Sequence, residues 1–203
     1  MPEKNADLHG SVPDTCDVAL LLINVINPLD FEGGEDLLVH AEPMAERLAA
    51  FKRRCADAGI PAIYVNDNFG KWRSDFRTLL ERCQTEDVPG RRIAKRLSPE
   101  PDDYFVLKPK HSGFFATTLD TLLRYLGTRR LVMGGFSGDV CVLFTAGDAY
   151  MRDLHVHVPS DCVASVNAEE NRRALAYMRR VLDVRTAPST AVDLEALLKE
   201  DSS

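Results

Sequence analysis

No stretch of this sequence approaches the roughly 20 consecutive apolar residues that a membrane-spanning helix needs. Its first fifteen residues, MPEKNADLHGSVPDT, are too polar for a secretory signal, so cytoplasmic residence is the expectation. There is no CxxC pair, and the five cysteines are an odd number, which argues against a disulfide framework or a cysteine zinc site. Positive charge is also short: 25 Lys and Arg face 31 Asp and Glu, a formal net charge of -6. That balance gives no reason to expect nucleic acid or an anionic membrane as partner. A phosphate-cradling GxxxxGKS/T, a GxGxxG after a strand and a GxSxG nucleophile turn are all missing, so nucleotide binding and serine hydrolysis have no support.

What is present suits one sizeable domain: 203 residues, 45% of them hydrophobic. Residues 1–16 read as a polar arm and 17–203 as the folded domain. VALLLI at 18–23 is a continuous apolar run, the mark of a strand buried on both faces of a parallel sheet. Further strands are expected at 61–66, 103–107, 130–135 and 154–158, with a short sixth near 183–186. Between them lie helical patterns. One has Pro43 in its first turn and ends at Gly59. Others run near 75–83, over 119–126 before Gly127, along CVLFTAGDAYMRD, and from an Asn167/Glu170 capping pair onward. Strands alternating with helices predict an α/β fold, a mostly parallel sheet between two helical layers, with ligands bound outside the carboxyl ends of the strands.

Three positions at such strand ends could carry chemistry: Asn24, Lys108 and Cys141. Cys141 falls where a strand and a glycine-containing turn lead into a helix. Exposed N–H groups and the helix dipole there favour a thiolate and could hold an oxyanion. A buried cysteine packed under the sheet is the competing reading. Lys108 could pair with a thiolate or a carboxylate, and His111, three residues on, could reach the same cleft. Phe69 and Trp72, in the polar loop DNFGKWRSDF, could wall a pocket or simply tie that loop to the core. His155 and His157 share a strand face without an evident third ligand, so a structural role is expected.

ALLLINVINPLDF, VLKPKHSGFFATTLDTLL and LVMGGFSGDVCVLFTAGDAYMRD, in this order, together with VPSDCVAS, resemble the motifs of the isochorismatase-like cysteine hydrolase superfamily over about residues 17–186. The resemblance implies a mostly parallel six-stranded sheet flanked by helices. It makes Cys141 the nucleophile and Lys108 the group that holds the thiolate. It implies a cis peptide at Phe136–Ser137 and an oxyanion hole of the Ser137 and Cys141 backbone N–H groups. It further implies a homodimer or homotetramer and a small-molecule substrate. Phe69, Trp72, His111, Phe114 and Phe136 would shape the substrate pocket.

Two departures from the family pattern matter. The superfamily's base is an aspartate at the end of the first strand, where this chain has Asn24, and an amide cannot accept the thiol proton. Nicotinamidases carry an Asp-x-His element after the second strand, whereas Asp67 here is followed by Asn68 and Phe69. No metal and no cofactor are therefore expected, and nicotinamide is disfavoured as substrate. Asp30, six residues beyond Asn24, has no geometric reason to enter the site. The expected activity is a cysteine amidohydrolase acting on a small amide or carbamoyl compound through a Cys141 thioester. The alternative is a catalytically silent or weakened relative that binds a small ligand or a protein partner.

Overall fold

A computed structural model describes residues 15–69 and 75–199. Five strands form the body of the sheet: β1 (Val18–Ile23), β2 (Ala62–Asp67), β3 (Tyr104–Lys108), β4 (Arg130–Phe136) and β5 (His155–His157). They lie in the order β3-β2-β1-β4-β5, and the short β6 (Val163–Ala164) pairs with the end of β4. Every pairing is parallel. Strand β1 sits at the centre with all six residues buried, as its unbroken apolar run requires.

Among the described residues seven α-helices cover the two faces: α1 (Gly34–Asp57), α2 (Phe76–Thr85), α3 (Arg91–Arg96), α4 (Leu119–Leu126), α5 (Leu143–Tyr150), α6 (Ala168–Val181) and α7 (Leu194–Lys199). Alternate residues of β1 point to opposite layers. Val18, Leu20 and Leu22 join the core under α1, and Ala19, Leu21 and Ile23 join the core under α4 and α5. No helix among the described residues is long and apolar enough to cross a membrane.

Two expectations need correction. Helix α1 starts nine residues before Pro43, which lies inside it rather than in its first turn. The proline is on the exposed face, and the buried stripe Leu37, Ala41, Met44, Ala45, Leu48 holds the helix together across the missing donor. The sixth strand is Val163–Ala164, while 183–186 contributes only an isolated bridge between Arg185 and His157. Two residues are too few to show a period in sequence. Helices α3 and α7, six residues each, fall below the same threshold. The remaining elements match in kind and place: Asn167 caps α6, accepting from the N–H groups of Glu169 and Glu170, and Gly127 closes α4 in the left-handed region.

Tyr64 shows how the layers are joined. Its ring is fully buried between β2 and the outer helices, and its hydroxyl donates to the Leu97 carbonyl at 2.8 Å. Tyr64→Phe keeps the ring and removes that bond, so unfolding in urea is expected to lose about 1 kcal/mol through a lower midpoint at unchanged slope.

Candidate active site at the carboxyl ends of four strands

Four adjacent strands deliver the site. In the β2–β3 ladder Asp67 stands directly opposite Lys108, the last residue of each strand. Chain continuity then places Asn24 just beyond β1, with its backbone N–H donating to the Val65 carbonyl at 2.9 Å. On the other side of β1, strand β4 runs into a π-helical turn, Gly138–Val142, that carries Cys141. Chain order reverses between β1 and β4, so the site lies at the topological switch of the sheet, where parallel α/β folds form their crevice.

The backbone is shaped for this. Asn24 has φ 56°, a left-handed conformation that asparagine tolerates better than most residues. The Phe136–Ser137 peptide bond is cis, as the resemblance implied. The turn is braced on its outer side, where the Ser137 hydroxyl donates to the Asp139 carboxylate and the Asp139 N–H donates to Ser165 Oγ at 3.2 Å. Fully buried Thr145 donates to the Cys141 carbonyl at 2.7 Å and accepts the Gly113 N–H at 3.0 Å. This hydroxyl ties the loop after β3 to the helix behind the cysteine.

The side chains converge on the sulfur. Lys108 is fully buried, and its Nζ lies 3.5 Å from Cys141 Sγ and 3.1 Å from the Lys110 carbonyl while donating to Asp67 Oδ1. Asn24 Nδ2 donates to Cys141 Sγ at 3.2 Å and to Asp67 Oδ2 at 2.9 Å, and its Oδ1 accepts the Asp67 N–H at 3.1 Å. Cys141 is 6% exposed. Burial raises its thiol pKa above the ordinary value, Lys108 pulls it back down, and Asp67 pushes it up again; hydrogen bonds from Lys108 and from the Ser137 backbone N–H also favour the thiolate. The balance is upward. Desolvation outweighs the lysine and the helix start in that balance.

In the sequence Asp67 reads only as half of an incomplete metal element. The structure makes it the carboxylate in contact with both Lys108 and Asn24. The pairing comes from the parallel register, which sets the last residue of β2 beside the last residue of β3 and which neither strand shows alone. Asp30 is elsewhere, paired with Arg82 on the surface. Of the expected pocket residues, Phe69 is 44% exposed and helps line a cavity of about 90 Å³ with Asp67, Leu79 and Leu107. Phe136 is buried ahead of the cis bond, and Phe114 is buried in the core cluster that includes Cys141, with the Arg152 guanidinium over its ring. His111 is exposed and packs against Phe144 at 5.4 Å between ring centroids. Trp72 lies outside the described residues. Among the described residues no group of three His, Cys, Asp or Glu is placed to hold a metal ion.

Known proteins resemble this chain in sequence and in fold. The chain is 39% identical over 166 residues to the uncharacterized isochorismatase family protein YaaI of Bacillus subtilis, covering 82% of this chain and 91% of that one. It is 47% identical over 142 residues to the ureidoacrylate amidohydrolase RutB of Methylorubrum extorquens, covering 59% of this chain and 56% of that protein. The crystal structure of an isochorismatase family protein from Desulfovibrio vulgaris superposes with a TM-score of 0.72 at 22% identity, over 91% of this chain and 99% of that one, a likeness of fold. The Isochorismatase domain pattern matches residues 18–189, which span all six strands and the whole of the site. On sequence and architecture together, the chain belongs to the isochorismatase family.

Proposed function

We propose that this protein is a cysteine amidohydrolase that cleaves a small amide or carbamoyl compound through a thioester on Cys141. The observation that carries the reading is the buried Cys141 sulfur in contact with Lys108 Nζ at 3.5 Å, at the switch point of the sheet. The lysine supplies positive charge where a thiolate forms. The Ser137 and Cys141 N–H groups are the donors for the oxyanion that develops on the attacked carbonyl. The similarity to a ureidoacrylate amidohydrolase supports amide or carbamoyl chemistry.

Asn24 in place of a first-strand acid favours a second reading, a silent relative that binds its ligand without turnover. Acyl-enzyme trapping separates the two. With p-nitrophenyl acetate, the amidohydrolase reading expects steady release of p-nitrophenol, a 42 Da adduct on the Cys141 peptide after acid quench, and neither in Cys141→Ala. It further expects an amide library to yield a substrate with turnover in the ordinary enzyme range, about 1 s⁻¹ or more. Turnover unchanged in Cys141→Ala, or an amide library without a hit, would sink it.

A further inference from the structure

We infer that Asp67, acting through Lys108, is the proton acceptor and donor of the reaction, in the place that Asn24 leaves empty. The inference rests on the cysteine hydrolase reading. It begins with a need: buried Cys141 must give up its thiol proton when the sulfur attacks, and a leaving amine must later receive one. Asn24 touches the sulfur but has no basic atom, its Nδ2 being a donor to both Cys141 and Asp67. Lys108 touches the sulfur too, and as an ammonium it accepts a proton only by giving one up. Its carboxylate partner is Asp67, at the neighbouring strand end.

Asp67 also differs from its neighbours in access. Lys108 has no exposed side-chain surface, whereas the Asp67 side chain is 27% exposed and borders the cavity with Phe69 and Leu79. It is therefore the member of the cluster that water can reach. The other carboxylate near the turn, Asp139, is taken by the Ser137 hydroxyl, and Asp30 by Arg82.

The steps balance. The Cys141 S–H proton passes to Lys108 Nζ as Lys108 gives a proton to Asp67 Oδ1, leaving a thiolate, an ammonium and a carboxylic acid. The sulfur bonds to the substrate carbonyl carbon, and the C=O electron pair moves to oxygen. When that pair returns, the C–N bond breaks and the nitrogen takes the proton stored on Asp67. A water then gives a proton to Asp67 and its hydroxyl to the thioester carbon. The C–S bond breaks, and the sulfur recovers the proton. Asn24 is a positioning residue that fixes the Asp67 carboxylate and the sulfur through one amide nitrogen.

The test is Asp67→Asn with two readouts that the inference drives apart. Lys108 and Asp67 are the charged groups acting on the sulfur. Removing the carboxylate leaves Lys108 unopposed, so the pH midpoint for iodoacetamide alkylation of Cys141 moves down. With p-nitrophenyl acetate, whose leaving group needs no proton, the variant still gives a burst of one p-nitrophenol per site. Its steady-state rate falls at least about 100-fold, and acetyl-Cys141 accumulates. A steady-state rate within threefold of the parent overturns the inference, as does a burst lost together with slower alkylation, the mark of a merely structural role. Failure of the underlying hydrolase reading looks different: Cys141→Ala then retains the parent's turnover.

Discussion

Lys108→Met is expected to cut turnover by about a thousandfold or more while leaving the fold in place. Methionine matches the reach of the lysine stem and fills the same fully buried slot beneath the strand ends. It removes the one side-chain cation within 4 Å of the sulfur among the described contacts. Because Lys108 holds the Cys141 thiol down, its loss raises the pH midpoint of Cys141 alkylation further above the ordinary thiol range. The thiolate is the form that reacts, so labelling at a fixed neutral pH slows. This is the opposite direction to Asp67→Asn, although both substitutions lower the steady-state rate. That divergence separates making the nucleophile from moving its proton. The Asp67 side chain is 27% exposed and still accepts from Asn24, so solvent screening limits the stability cost of breaking the pair, and a thermal midpoint within a few degrees of the parent is expected. An alkylation midpoint that stays put in Lys108→Met would contradict the electrostatic role.

Gly135→Ala is expected to be the most damaging conservative change in the sheet. Gly135 has φ 122°, a region open to glycine and strained for other residues, and an added Cβ would lie 2.0 Å from the Ile23 carbonyl oxygen and 2.9 Å from the Ile23 nitrogen. Both obstacles are backbone of the central strand, so no rotamer change relieves them. Strands β1 and β4 would have to separate at Gly135–Ile23, next to Asn24 and ahead of the Phe136–Ser137 bond. A loss of about 4 kcal/mol or more is expected, a fall in thermal midpoint of about 8–16 °C for a domain of this size. Activity should fall further than stability, since the clash displaces the turn that carries Cys141. Gly147→Ala in α5 is the matched control: nothing lies within 4 Å of its added Cβ, so the same substitution should stabilise by up to about 1 kcal/mol. Thermal melts of the two variants check both signs.

The charge balance of the cluster also accommodates Asn24. An aspartate there would set two carboxylates 2.9 Å apart around one lysine, and such pairs share a single proton. Asparagine donates instead, so the lone carboxylate of Asp67 keeps two partners, Lys108 and Asn24.

The sequence by itself determined the elements whose physics is local. The apolar run 18–23 suits a strand buried on both faces, and it is one. Asn167 and Gly127 marked helix ends through their own side chain and backbone freedom. Asn24, Lys108 and Cys141 were legible because each follows a strand pattern, and strand ends of a parallel sheet face one crevice. Three things were decided only by the tertiary structure. The partnership of Asp67 with Lys108 depends on β2 and β3 being neighbours in a register that aligns their last residues, and register is a property of two strands at once. The upward pull on the Cys141 thiol depends on how completely the surrounding layers exclude water, against a lysine and a turn whose effect the sequence alone would have read as dominant. The sixth strand is two residues that extend only because β4 offers an edge, so no pattern of their own announces them. In each case the deciding energy comes from residues far apart in the chain, and the fold brings them together.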